Sequence, residues 1–127
     1  MSIESSSNLC VVAFVRNLAS RDFIRGEVGS VSGELVKLSR LKDESSRRQA
    51  LCGAVVVMDL ADYTSTQEIT EIAKEAIDAK ARAVIGIYPH IRVDLVEAFT
   101  NSSLFSDLIP RSKFMRTFRD ILLSYSA

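Results

Sequence analysis

Asp59 closes a run of buried-strand character, Gly53–Leu60 (GAVVVMDL), and is the carboxylate of this sequence best placed to do chemistry. Strand-like and helix-like runs alternate along the chain, and in an open parallel sheet ligands collect outside the carboxyl ends of the strands. The residues expected there are Arg16–Asn17, Asp59–Asp62, Tyr88–His90 and Pro110–Arg111. Asp59 would therefore have Arg16, His90, Arg92 and Arg111 as candidate neighbours. A carboxylate among cations can form a fixed ion pair, accept a transferred group, or help to shape an anion site. Tyr63 and Tyr88 are expected in the partial core, and His90 at a turn where it bonds backbone or Asp59.

Other chemistries find little support. No serine sits in Gly-x-Ser-x-Gly, and the single histidine has no paired nucleophile. Cys10 and Cys52 are far apart and could build a zinc site with His90 only by recruiting carboxylates. Both fall at the entry to a predicted buried strand, so each is expected as a free, reduced thiol behaving as a small hydrophobe. The pair Gly26-x-x-Gly29 does not directly follow a strand and makes a poor phosphate loop.

The elements that must position Asp59 follow from the patterning. Leu9–Val15 (LCVVAFV) is continuously apolar and β-branched, as a strand buried on both faces must be. Ser20 could cap a short helix carrying Phe23, Ile24 and Val28 inward and ended by Gly26 or Gly29. Glu34–Ser39 alternates as a more exposed strand, and Asp43–Leu51 reads as a short polar helix. After Gly53–Leu60, Ser65 and Glu68 form a capping box for a helix burying Ile69, Ile72, Ala73, Ala76 and Ile77. Ala83–Tyr88 is a further buried strand, Val93–Thr100 a helix with Leu95, Val96 and Phe99 inward, and Phe105–Ile109 a last strand stopped by Pro110. Ser112 could cap a final helix with Phe114, Phe118, Ile121 and Leu122 on one face. Five strands alternating with five helices predict a three-layer α/β/α sandwich around a five-stranded parallel sheet, flavodoxin-like, in the order 2-1-3-4-5.

Composition sets the outer bounds. With 127 residues the chain suits one core and is too short for two, so residues 9–127 are expected as a single domain behind a flexible, Ser-rich tail, 1–8. Sixteen basic and sixteen acidic residues cancel, so the basic excess of a nucleic-acid binder is missing. The basic cluster Arg40, Lys42, Arg47 and Arg48 is interrupted by Asp43 and Glu44 and reads as a solvated face. No apolar run approaches the roughly 20 residues of a membrane span, and Met1–Asn8 lacks the apolar segment of a signal peptide. A cytoplasmic location, with no membrane and no nucleic acid bound by this chain alone, is expected.

A strand ending in Asp (VVVMDL), a helix, a strand ending at a small turn (AVIGIY), then a short strand before the last helix resembles a response-regulator receiver (CheY-like) domain. The resemblance spans Leu9–Tyr125 and is nearest to a degenerate subgroup with a Gly-x-x-x-His motif after strand four and Pro-Arg-Ser after strand five. This chain has Gly86-Ile-Tyr-Pro-His90 and Pro110-Arg111-Ser112. By that resemblance Asp59 stands at the phospho-acceptor position. Arg16 and Asn17 replace the acid pair that holds Mg²⁺, Tyr88–Pro89 replaces the switch hydroxyl, and Arg111 stands near the place of the conserved Lys.

Phosphoryl transfer to a carboxylate needs a divalent cation to neutralise the charge that builds on phosphate. A cation beside Asp59 and Arg16 would meet a positive charge. The expectation is that Arg16 or Arg111 pairs with Asp59, with no metal, cofactor or catalytic residue. The chain would then be a non-catalytic receiver-like signalling module acting on a protein partner. Dimerisation, as such modules commonly achieve through the fourth helix, fifth strand and fifth helix, would use Phe114, Phe118, Ile121, Leu122 and Tyr125, together with Met115. Two alternatives stand beside it. One is a working phospho-acceptor at Asp59 with unconventional ligands such as Asp62. The other is a small-anion or nucleotide sensor using Arg16, His90 and Arg111.

Overall fold

Strands rich in Val, Ile and Ala that lack polar alternation have no solvent face, and here each is covered on both sides. A computed structural model of the chain describes residues 9–36, 43–63, 65–89 and 91–126. The expected tail 1–8, the end of the second predicted strand, basic residues Arg40 and Lys42, and His90 lie outside the described residues. In chain order the elements are β1 (Cys10–Phe14), α1 (Leu18–Ser30), β2 (Glu34–Val36), α2 (Glu44–Leu51) and β3 (Val55–Asp59). A single 3-10 turn, Leu60–Asp62, leads to α3 (Thr66–Asp78), β4 (Ala83–Tyr88), α4 (Val93–Phe99), β5 (Asp107–Pro110) and α5 (Arg111–Ser126).

The strands form one all-parallel sheet in the order β2-β1-β3-β4-β5, the flavodoxin-like arrangement. Register sets Val12 beside Val56, Val56 beside Val84 and Gly86 beside Leu108. Because side chains alternate across a strand, Val55 and Val57 join the core under α1 and α5, with Ile24, Val28, Phe114, Phe118 and Leu122. Val56 and Met58 join the opposite core with Leu51, Ile69, Ala73, Leu95 and Phe99 from α2, α3 and α4. Among the described residues no helix is long and apolar enough to cross a membrane.

Several local expectations are corrected. Asn17, not Ser20, caps α1: its side-chain oxygen accepts from Ser20 N–H at 3.0 Å. The helix runs through Gly26 and Gly29, since packing of Ile24 and Val28 outweighs the roughly 1 kcal/mol each glycine costs. Ser65 does cap α3, accepting from Glu68 N–H at 3.1 Å. Ile77, however, is 41% exposed. At about 100° per residue it lies roughly 80° around the helix from Ile69, off the stripe that Ala73 and Ala76 share. Ser112 is the second residue of α5 rather than its cap, and Pro110 belongs to β5. Cys52 sits in the turn after α2 with its side chain exposed, short of the strand it was expected to enter. Cys10 is half-buried in β1, and burial, then the charge of Glu34, pushes its thiol pKa up.

On α5 the core takes most of the apolar side chains. Phe114, Phe118 and Leu122 are at most 2% exposed and fill the core of the single chain. Phe118 stacks at 4.5 Å on Phe114, whose edge meets Phe23 of α1 at 5.7 Å. These three α5 side chains are taken up by the core; Ile121 and Tyr125 are partly buried against it, and Met115 stays 49% exposed.

Candidate functional site

β3 is buried at every position, so the chain delivers Asp59 to the carboxyl edge with its side chain only 1% exposed. A carboxylate so placed must be hydrogen-bonded or paired. Its Oδ1 accepts from Ala61 N–H at 3.1 Å, which opens the 3-10 turn. The second partner comes from the far side of the sheet. Arg111, first residue of α5, reaches past the end of β4 and places one guanidinium nitrogen 3.1 Å from Oδ1 and 2.9 Å from Oδ2. Arg111 stays 45% exposed, so the pair is a buried anion under a cation that faces water.

Arg16, the other expected partner, goes elsewhere. Its backbone N–H donates to Asp62 Oδ2 at 2.7 Å and its guanidinium to the Asp62 carbonyl at 3.3 Å. The guanidinium lies 5.7 Å from the ring centre of Tyr63. The 3-10 turn explains the exchange, because it carries Asp62 from the end of β3 towards Arg16, the second residue after β1. Burial, then the charge of Asp62, pushes the Tyr63 phenol up to about 12 against a smaller opposite effect of Arg16. Asn17 is committed as the α1 cap, and Arg92 makes two 2.9 Å bonds to Asp94. The structure thus joins Asp59 to Arg111, and Arg16 to Asp62 and Tyr63, and leaves Arg92 with neither group.

These residues do not fit the Mg²⁺ of the resemblance. Both oxygens of Asp59 already accept from Arg111, one Asp62 oxygen holds the Arg16 N–H, and no acid follows β1. Among the described residues no three His, Cys, Asp or Glu side chains gather as a metal site.

One group escaped the sequence reading. At the carboxyl ends of β1 and β2 lies an open cleft of about 360 Å³. Arg16, Arg21, Arg25 and Arg47 line it, with Tyr63, Glu68 and an apolar wall of Phe14, Val15, Leu35, Val36 and Ile72. The signal available was the four-residue spacing of Arg21 and Arg25, which puts both on one helix face. Its meaning depended on where α1 and α2 pack. A scan against family models finds no match to this chain, and searches of curated proteins and of solved structures find none either.

Proposed function

We propose that this chain is a non-catalytic regulatory module of receiver type, acting by contact with a protein partner and holding an internal ion pair where a receiver is phosphorylated. The observation that carries the reading is the Arg111 guanidinium lying on both oxygens of the buried Asp59. A phosphoryl donor would have to displace that cation from a carboxylate with almost no exposed surface, and among the described residues no group of three or more metal-ligating side chains stands there to hold a metal. The fold and the position of Asp59 at the end of β3 support the resemblance, and Arg16-Asn17 supports the loss of acceptor chemistry. Partner contacts fall to what the core leaves outside on α5, where Met115 and Leu123 are each 49% exposed.

Incubation with a small acyl phosphate and Mg²⁺, read by intact mass, tests this. The expected result is no gain of a phosphoryl group in the native chain or in Asp59→Asn. A Mg²⁺-dependent gain in the native chain that Asp59→Asn abolishes would make the chain a working phospho-acceptor instead.

A further inference from the structure

The lining of the cleft at the ends of β1 and β2 is mostly basic, and acids outside the lining offset part of that charge. Four arginines line it against one lining carboxylate, Glu68. Three of the four have partners that lie outside the lining. Arg47 is held by two bonds to Glu75, at 2.7 and 3.1 Å. Arg16 is held at the Asp62 carbonyl, and Arg25 has only a loose 3.8 Å contact with an exposed Asp22. Arg21 has no ion pair or side-chain hydrogen bond with any described residue, although it is half-buried. Gathering like charges around a concavity costs free energy unless an anion occupies it.

The rest of the cleft decides what kind of anion. Its volume of about 360 Å³ is far more than a lone phosphate fills and lies in the range of small-molecule sites. Guanidinium groups bind phosphate through paired donors and stack on planar rings. Arg21 and Arg25, one turn apart on α1, supply the first capacity. Arg16 lying over Tyr63 beside the apolar wall of β1 and β2 supplies a flat, partly apolar surface. Location agrees with the rule that open parallel sheets bind ligands at their strands' carboxyl ends. From these observations we infer that the cleft binds a nucleoside phosphate, its phosphate against Arg21 and Arg25 and its base against the Tyr63 side. The site is separate from the Asp59–Arg111 pair and stands or falls independently of it.

Equilibrium binding by calorimetry or ligand-observed NMR at low ionic strength tests this on the full chain. The probes are AMP, GMP, CMP and UMP, with ribose 5-phosphate and adenosine as halves of the first. At least one nucleotide should bind more tightly than about 1 mM, with ribose 5-phosphate and adenosine each weaker. Arg21→Gln with Arg25→Gln should weaken it about tenfold or more, as loss of charge-assisted bonds does. The Arg25→Gln single variant should fall between. Arg119→Gln, which removes a surface arginine bonded to Glu27 outside the cleft, should leave binding unchanged. Circular dichroism melts would check that each variant is folded. Absence of binding by all four nucleotides would overturn the inference. So would ribose 5-phosphate binding as tightly as AMP, or an Arg21/Arg25 double variant that is folded and binds like the native chain.

Discussion

Two regions on the same edge of one sheet treat charge in opposite ways. Where β3 and β5 end, a carboxylate with 1% exposure is bonded by one backbone N–H and one guanidinium, so both of its oxygens accept from within the chain. Where β1 and β2 end, four arginines line an open cleft, and one of them, Arg21, has no charge partner among the described residues. The difference teaches how to separate a structural charge from an available one. Sequence position at a strand end does not do it; the count of internal partners does.

The sharpest way to break the comparison is to remove one cation from each region. Arg111→Met leaves the Asp59 carboxylate buried without its counter-ion and should cost about 2–4 kcal/mol in denaturant unfolding, below the fully buried case because Arg111 is itself 45% exposed. Asp59→Asn added to it should restore at least half, since the amide oxygen can still accept from Ala61. Arg21→Met, which loses no partner among the described residues, should change stability by less than about 0.5 kcal/mol. Equal losses from the two arginine substitutions would erase the distinction.

The legible part of the molecule was whatever burial alone decides. Runs such as VVVMD and AVIGIY read as buried strands, so the place of Asp59 followed, whereas the strand order rested on what doubly wound domains of this size commonly adopt. Which arginine reaches Asp59 was not legible. Arg16 and Arg111 both follow strands, and the choice was made by the 3-10 turn that gives Asp62 to Arg16. How much of the α5 apolar face the core would take was not legible for a related reason. A stripe at 114, 118, 121 and 122 is what a helix needs to cover its own sheet, and spacing cannot tell that from a stripe meant for a second copy. The cleft was hidden because its arginines come from three separate segments, and those on α1 and α2 are interleaved with acids.

Glycine substitutions should separate the regions by sign, with a smaller effect. A Cβ on Gly86 would come within 2.9 Å of Leu108 Cδ2 and 3.1 Å of the Phe105 ring, the contacts that seat β5, and hence Arg111, against β4. Gly86→Ala should destabilise by about 1–3 kcal/mol through overpacking. Gly26 lies within α1, the helix that carries Arg21 and Arg25, and a Cβ there meets nothing within 4 Å. Gly26→Ala should stabilise by about 0.5–1 kcal/mol, because the unfolded chain loses freedom and the helix gains a better former. A stabilising Gly86→Ala would show that the β4–β5 side has slack.

The finest test falls on Tyr63, which borders the cleft and follows the turn that begins at Asp59. Its phenol titrates near 12 in the folded chain, raised first by burial and then by Asp62, against about 10 in an unfolded one. Between those values the native state keeps a proton that the unfolded state has released, so stability must fall as pH rises. The contribution of Tyr63 is therefore complete below about pH 10 and is lost as pH climbs through about 12. Tyr63→Phe should make the alkaline loss of stability shallower, and the ultraviolet difference between native and variant titrations should show a phenolate forming near 12. An anion in the cleft would disfavour the phenolate further and move that midpoint up. A Tyr63 midpoint near 10 would mean that water reaches the ring freely, and the flat wall assigned to the cleft would not exist.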